Sequence, residues 1–134
     1  MIIVRVIISA GGTGGHIYPA LSILKKIKEK DPKSEILYIG TTNRMEATLV
    51  PSMGIPYKGV NVIGLKKNLT IFKAGFLFLR AISKCKKIIK EFKPDIVIGV
   101  GGYITAPVIY SAKKLGIKTV IHEQNSIPGK SNTF

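Results

Sequence analysis

The groups in this 134-residue chain whose types and spacing could do chemistry are two glycine-rich turns, the histidine His16 beside the first of them, and a short His-Glu-Gln-Asn cluster near the end. The first turn lies in Ser9-Ala10-Gly11-Gly12-Thr13-Gly14-Gly15-His16-Ile17-Tyr18-Pro19-Ala20-Leu21. Four glycines in five positions let the backbone approach a ligand that side chains would exclude. An apolar run, Ile2 to Ile8, precedes the turn. An amphipathic run follows, with Ala20, Ile23, Leu24 and Ile27 on one side and Lys25, Lys26 and Lys28 on the other. The order is strand, tight turn, helix. Such a helix start aims unpaired N–H groups and the positive end of its dipole at an anion, typically phosphate or diphosphate. His16, a titratable side chain at the mouth of that corner, suits a general base. The same residues also admit a plainer reading, in which the glycines only make a turn and His16 caps or packs it. Two common templates do not fit. A dinucleotide fingerprint needs a small residue where Ile17 stands, and a Walker loop needs Lys and Ser/Thr where His16 and Ile17 stand.

The elements that must position these groups can be read on either side of them. Ile96-Val97-Ile98-Gly99-Val100 is a strongly apolar strand followed by Gly101-Gly102-Tyr103-Ile104-Thr105-Ala106-Pro107 and a helical run from Val108 to Leu115. This repeats the first motif, with a proline in the first turn of the helix, and makes a second candidate anion corner. Glu35 to Gly40 reads as another buried strand. Thr41-Thr42-Asn43 could cap a short helix through Val50, and Pro56 to Val60 is a weaker strand. Asn68 to Phe92 is the longest helical stretch. Thr119-Val120-Ile121 is a fifth strand, with His122-Glu123-Gln124-Asn125 at its carboxyl end. His122, directly after what reads as a buried strand, is more consistent with a structural than a catalytic role. His122-Glu123 is not a zinc-protease motif, since Ser126 stands where the second His belongs. Alternating strands and helices predict one α/β domain over residues 1–134, a Rossmann-like, doubly wound parallel sheet. In such a sheet the first, fourth and fifth strands present their loops at one carboxyl edge, where ligands bind. Gly40-Thr41-Thr42 offers no acidic residue after the second strand, which argues against an ordinary dinucleotide enzyme.

Composition narrows the function classes. The single cysteine, Cys85, excludes an internal disulfide and any cysteine-based zinc site, and fits a reducing compartment. The N-terminal apolar run is short and contains Arg5, so it reads as a strand and not as a signal peptide. No stretch reaches the roughly 18 apolar residues of a membrane span. Lys and Arg number 21 against 7 Asp and Glu, a net charge of +14. Between Lys58 and Lys93 ten basic residues face one acid, Glu91, so that segment carries +9 of it. A surface of this kind attracts nucleic acid or an anionic membrane; a generally lysine-rich composition would also produce it. The front of the long helix carries Leu69, Ile71, Phe72, Phe76, Leu77, Phe78 and Leu79 around more than one face, beside Lys66, Lys67, Lys73 and Arg80. Helices packed only on their own sheet do not need apolar residues on several sides. The excess suits contact with a headgroup layer through Ile71, Phe72, Phe76 and Leu79, with Lys73 and Arg80 on the phosphates; a partner domain is the alternative. No aromatic residues interleave with basic ones on the strands and no helix-turn-helix or RNP pattern is present, so nucleic acid is not expected as a partner.

Three motifs in order, G-G-T-G-G-H-x-x-P-A-L, G-V-G-G-Y-x-T-A-P and I-H-E-Q-N-x-x-P-G, with Arg44-Met45-Glu46 to Leu49-Val50-Pro51 between them, resemble the MurG glycosyltransferases over nearly the whole chain. The resemblance implies the N-terminal, acceptor-binding half of a two-domain GT-B enzyme whose C-terminal, donor-binding domain is absent here. It implies inverting transfer of N-acetylglucosamine from UDP-N-acetylglucosamine to undecaprenyl-diphospho-muramyl-pentapeptide in peptidoglycan synthesis, at the cytoplasmic face of the inner membrane. His16 would be the base, with Glu123 and Asn125 orienting acceptor hydroxyls or His16. Thr13, Gly14, Gly15, Gly101, Gly102 and Tyr103 would hold the diphosphate. No cofactor and no catalytic metal are expected, and the isolated chain should transfer little. Two alternatives remain: one subunit of a split lipid-linked-sugar transferase, and a non-catalytic basic module for anionic membrane or nucleic acid.

Overall fold

The computed structural model describes residues 3–11, 14–62 and 71–122, for 71–74 the backbone only. Nine elements alternate along the described chain: β1 (Arg5–Ala10), α1 (Gly14–Lys30), β2 (Glu35–Thr41), α2 (Met45–Ser52), β3 (Tyr57–Val60), α3 (Ile71–Phe92), β4 (Ile96–Gly101), α4 (Thr105–Lys114) and β5 (Lys118–Ile121). The five strands form one sheet of order β3-β2-β1-β4-β5, and every pairing is parallel. This is the doubly wound arrangement expected from the alternation. Its topological switch point lies between β1 and β4, where the chain leaves in opposite directions and a crevice opens at the carboxyl ends.

Side-chain alternation sorts the central strands onto two cores. Val6, Ile8 and Ala10 of β1 pack with Tyr38, Val50, Ala20 and Leu24 on one face. Ile7 packs with Leu37, Ile39, Val97 and the helix residues Ala81, Cys85, Ile89, Val108 and Ala112 on the other. The runs in β1, β2 and β4 are continuously apolar because both faces are covered. At the amino edge Arg5 ties three elements together. Its guanidinium pairs with Glu35 at 2.6 Å, donates to the Phe92 carbonyl at 2.8 Å and lies 4.3 Å from the Phe92 ring.

The structure corrects three of these expectations. The first helix starts inside the glycine run, at Gly14, which leaves Pro19 in its second turn and not its first. Thr41-Thr42-Asn43 does not cap α2; Arg44 holds that position without a side-chain hydrogen bond. Instead Thr41 ends β2, and its hydroxyl accepts the Arg44 N–H at 3.0 Å. The long helix is described from Ile71, and its expected start at Asn68 lies outside the described residues. It stops where Lys93 adopts a positive φ of 57° ahead of Pro94. Finally, β5 is not a buried strand: it lies at the sheet edge, with Val120 and Ile121 exposed.

Candidate functional site

The turns after β1 and β4 meet. Gly11 donates its N–H to the Gly101 carbonyl at 3.1 Å. Register along the pair runs Ser9 to Gly99 and then Ala10 to Gly101, so one residue of β4 bulges out just before the turn. Bulges of this sort re-aim backbone beside sites. The φ angles of +138° at Gly101 and +99° at Gly102 suit glycine alone. A Cβ on Gly102 would sit 2.3 Å from the Gly11 carbonyl oxygen, so the two turns touch backbone to backbone. Thr105 closes the second turn: its Oγ1 accepts the Gly101 N–H at 3.2 Å, and its own N–H donates to Gly102 O at 3.1 Å.

His16 falls in the first turn of α1, and its ring lies flush against Gly101. A Cβ there would be 2.3 Å from Nδ1 and 2.6 Å from Cε1. Nδ1 is buried and has no hydrogen-bond partner among the described residues. The imidazole is neither sealed in the core nor fully exposed, which leaves Nε2 as the nitrogen available to a ligand. It lines a cavity of about 550 Å³ with Phe78, Gly102, Tyr103 and Ala106. A larger cavity, about 1000 Å³, lies at the amino edge among Arg5, Glu35, Pro56 and Phe92. None of the residues lining it belongs to the glycine turns after β1 and β4.

Sequence reasoning missed what supports the first turn. Glu46 is fully buried. Its Oε2 accepts the Thr41 N–H at 2.9 Å and the Thr41 hydroxyl at 2.7 Å, and a Cβ on Gly11 would lie 2.6 Å from that oxygen. Tyr57 donates its hydroxyl to Thr41 O at 2.5 Å, and Tyr38 donates to Ala10 O at 2.9 Å. Burial first, and then the Glu46 carboxylate, push both phenols well above the ordinary tyrosine range. The available signal was a carboxylate in the opening turn of a short helix at the carboxyl edge of β2.

Of the residues expected at the site, the fold brings together His16, Gly101, Gly102 and Tyr103, with Gly14 and Gly15 in the first turn of α1. Thr13, Glu123 and Asn125 lie outside the described residues. His122 follows β5 at the same edge, its N–H donating to Gly99 O at 2.8 Å. Its side chain is exposed, so the core role expected from a buried fifth strand does not hold. On α3, Phe76 and Leu79 are 61% and 66% exposed, and the Arg80 guanidinium stands 5.8 Å from the Phe76 ring. Ile71, Phe72 and Lys73 occupy the preceding turn, where only backbone is described. Among the described residues no helix is long and apolar enough to cross a membrane, and no group of three or more His, Cys, Asp or Glu could hold a metal ion.

Sheet order and paired glycine turns define a Rossmann-like, doubly wound α/β domain. Among solved structures the chain is similar to MurG of Acinetobacter baumannii, with a TM-score of 0.79 and 32% identity over 92% of this chain and 36% of that one. It shares the fold alone with a UDP-N-acetylglucosamine 2-epimerase, at TM-score 0.64 and 19% identity, over 89% of this chain and 33% of that one. The chain belongs to the glycosyltransferase family 28 N-terminal domain family, whose model matches residues 6–134. It is 58% identical, over 96% of its length, to a UDP-N-acetylglucosamine–N-acetylmuramyl-(pentapeptide) pyrophosphoryl-undecaprenol N-acetylglucosamine transferase of Alkaliphilus oremlandii. With the same transferase of an Exiguobacterium species it shares 49% over 97%. The chain spans 36% and 37% of the length of these two relatives.

Proposed function

We propose that this domain is the acceptor- and membrane-facing part of an inverting transferase. The enzyme would move N-acetylglucosamine from UDP-N-acetylglucosamine to undecaprenyl-diphospho-muramyl-pentapeptide, in peptidoglycan synthesis at the cytoplasmic face of the inner membrane. The observation that carries this reading is the His16 imidazole, seated on Gly101 with Nδ1 sealed, at the point where two glycine turns meet.

In this reading the acceptor's diphosphate lies across the two turns, on N–H groups of Gly14, Gly15, Gly101 and Gly102, with Thr13 supplying a hydroxyl and Tyr103 flanking it. His16 Nε2 accepts the proton from the C4 hydroxyl of the muramyl sugar. The freed oxygen attacks the anomeric carbon of the donor from the side opposite UDP. The bond to the diphosphate oxygen breaks, UDP departs with the electron pair, and the product carries a β-1,4 link. Glu123 and Asn125 orient acceptor hydroxyls or His16. The donor nucleotide is held mostly by a domain outside this chain. Replacing His16 by Ala in a full-length protein carrying this domain should lower kcat by about 10²–10⁴, with an unchanged melting temperature. Wild-type turnover from a folded variant would remove His16 as the base.

Membrane attachment through Phe76, Leu79 and Arg80, with Ile71, Phe72 and Lys73 in the preceding turn, completes the proposal. Exposed apolar side chains beside a guanidinium favour a headgroup layer over a nucleic acid. Binding to anionic vesicles should exceed binding to duplex DNA at matched salt, and the opposite ranking would favour a nucleic-acid module.

A further inference from the structure

Strands beside an open edge keep hydrogen-bonding groups that another chain can use, and the first half of β2 is such a stretch. Alternate residues of β2 turn their main-chain groups to opposite neighbours. Glu35 donates to Val4 O at 2.9 Å on the β1 side, and Tyr38 donates to Pro56 O at 2.9 Å on the β3 side. Ile36, two residues before Tyr38, therefore also turns to the β3 side. The β2–β3 ladder begins only at Tyr38 and Tyr57. One rung earlier the donor to Ile36 O would be residue 56, a proline without an N–H. The N–H and C=O of Ile36 thus have no main-chain partner among the described residues, although Ile36 is only 7% exposed. The next such carbonyl, Ser34 O, accepts from the Lys28 ammonium at 2.5 Å, and the buried Ser34 Oγ has no partner among the described residues. This stretch lines the cavity of about 1000 Å³ at the amino edge. Leu21 and Leu24 of α1 flank it on the face of Ile36, and Ile88 and Phe92 of α3 flank it on the face of Leu37. The cavity therefore wraps the strand edge, with an apolar wall on each face of the sheet.

We infer that this cavity docks an extended peptide segment of a partner protein, which adds a short strand beside the first half of β2 and carries apolar side chains with an acidic flank. An added strand sends successive side chains to opposite faces, so it uses both apolar walls. Its main chain supplies the donor and the acceptor that Ile36 needs. An acyl chain would fill the walls and leave both of those groups unpaired. The acidic flank follows from charge: Lys25 and Lys58 line the cavity, and of its two acids Glu35 is already paired with Arg5, which leaves Glu91. Tyr18 and Met53, also in the lining, are 55% and 54% exposed, so apolar surface extends to solvent there.

The test presents a full-length protein carrying this domain to an array of acetylated pentapeptides built from Val, Leu, Phe, Asp and Lys, a length that matches Ser34 to Tyr38. Bound peptides should combine adjacent apolar residues with a terminal Asp and should exclude Lys at that end. N-methylation of the best binder, one position at a time, should cost at least about tenfold at the one residue whose N–H meets Ile36 O. Its two neighbours, whose N–H groups point away from β2, should tolerate the methyl group. Ser22→Trp fills the cavity from an exposed position on α1 and should abolish binding. Lys58→Glu should weaken the acidic peptides at least about threefold and serves if the Trp variant melts early. An array with no bound peptide would overturn the site, and binding that survives both variants would overturn its assignment to this cavity. An N-methyl series with equal losses throughout, or none, would overturn strand addition. Displacement of the peptide by dodecanoate as tightly as by the unlabelled peptide would give the cavity to an acyl chain and overturn the peptide reading. A concentration-dependent dimer that Ser22→Trp dissociates would give the edge to a second copy of the chain and overturn a separate partner.

Discussion

Gly101→Ala tests the seating of the imidazole directly. The added Cβ would stand 2.3 Å from His16 Nδ1, 2.6 Å from Cε1 and 3.0 Å from Cγ. Comfortable contact needs about 3.5 Å or more, so the ring must retreat by roughly 1 Å. Displacement of that size at a reacting group costs about 10² in rate. A second cost is conformational: φ is +138° at Gly101, and holding a non-glycine residue in so sparse a region costs about 1–3 kcal/mol. Gly116→Ala separates the two effects. Gly116 has a φ of +76° and nothing within 4 Å of its would-be Cβ, so alanine there should cost about 1–2 kcal/mol of backbone strain and nothing else. Both variants should melt early, and only Gly101→Ala should lose turnover, measured as UDP release by a full-length protein carrying this domain. Wild-type kcat in Gly101→Ala, or equal losses in both, would refute the argument that this turn holds the base in place.

Other perturbations address the surrounding structure. Glu46→Ala strands the buried Thr41 N–H and hydroxyl and should cost about 1–3 kcal/mol for each unpaired group; Glu46→Gln keeps an acceptor and should recover part of it, as read by denaturant titration. Burial pushes the Cys85 thiol up to about 12 and raises the Tyr38 and Tyr57 phenols. All three favour the neutral form in the native state, so stability should hold until the unfolded chain ionises, near pH 8.5–10, and fall above that by up to about 1.4 kcal/mol per pH unit for each group. Cys85→Ala should flatten the onset of that fall. Phe76→Ser with Leu79→Ser removes two exposed apolar side chains; vesicle binding should drop at least tenfold on a burial value of about 1.5–3 kcal/mol each, with no change in melting temperature.

The amino-acid order alone determined the architecture. Continuous apolar runs at Val6–Ile8, Ile36–Ile39 and Ile96–Ile98 can only be strands covered on both faces, and the lysine-striped stretches between them can only be the covering helices. It also determined the family: the motifs around His16, Gly101 and His122 are similar to MurG, and the family model and relatives agree. Short-range signals misled where long-range contacts ruled. Val120 and Ile121 look like core residues, yet β5 is an edge strand whose exposure depends on what lies beside it. Thr41 looks like a helix cap, yet Glu46 across the turn engages its hydroxyl. Only the folded chain shows that Gly101, 85 residues along from His16, is the surface on which that ring rests. A glycine's use of its missing side chain is invisible in sequence, because the atom that would collide belongs to another element, brought there by the pairing of β1 with β4.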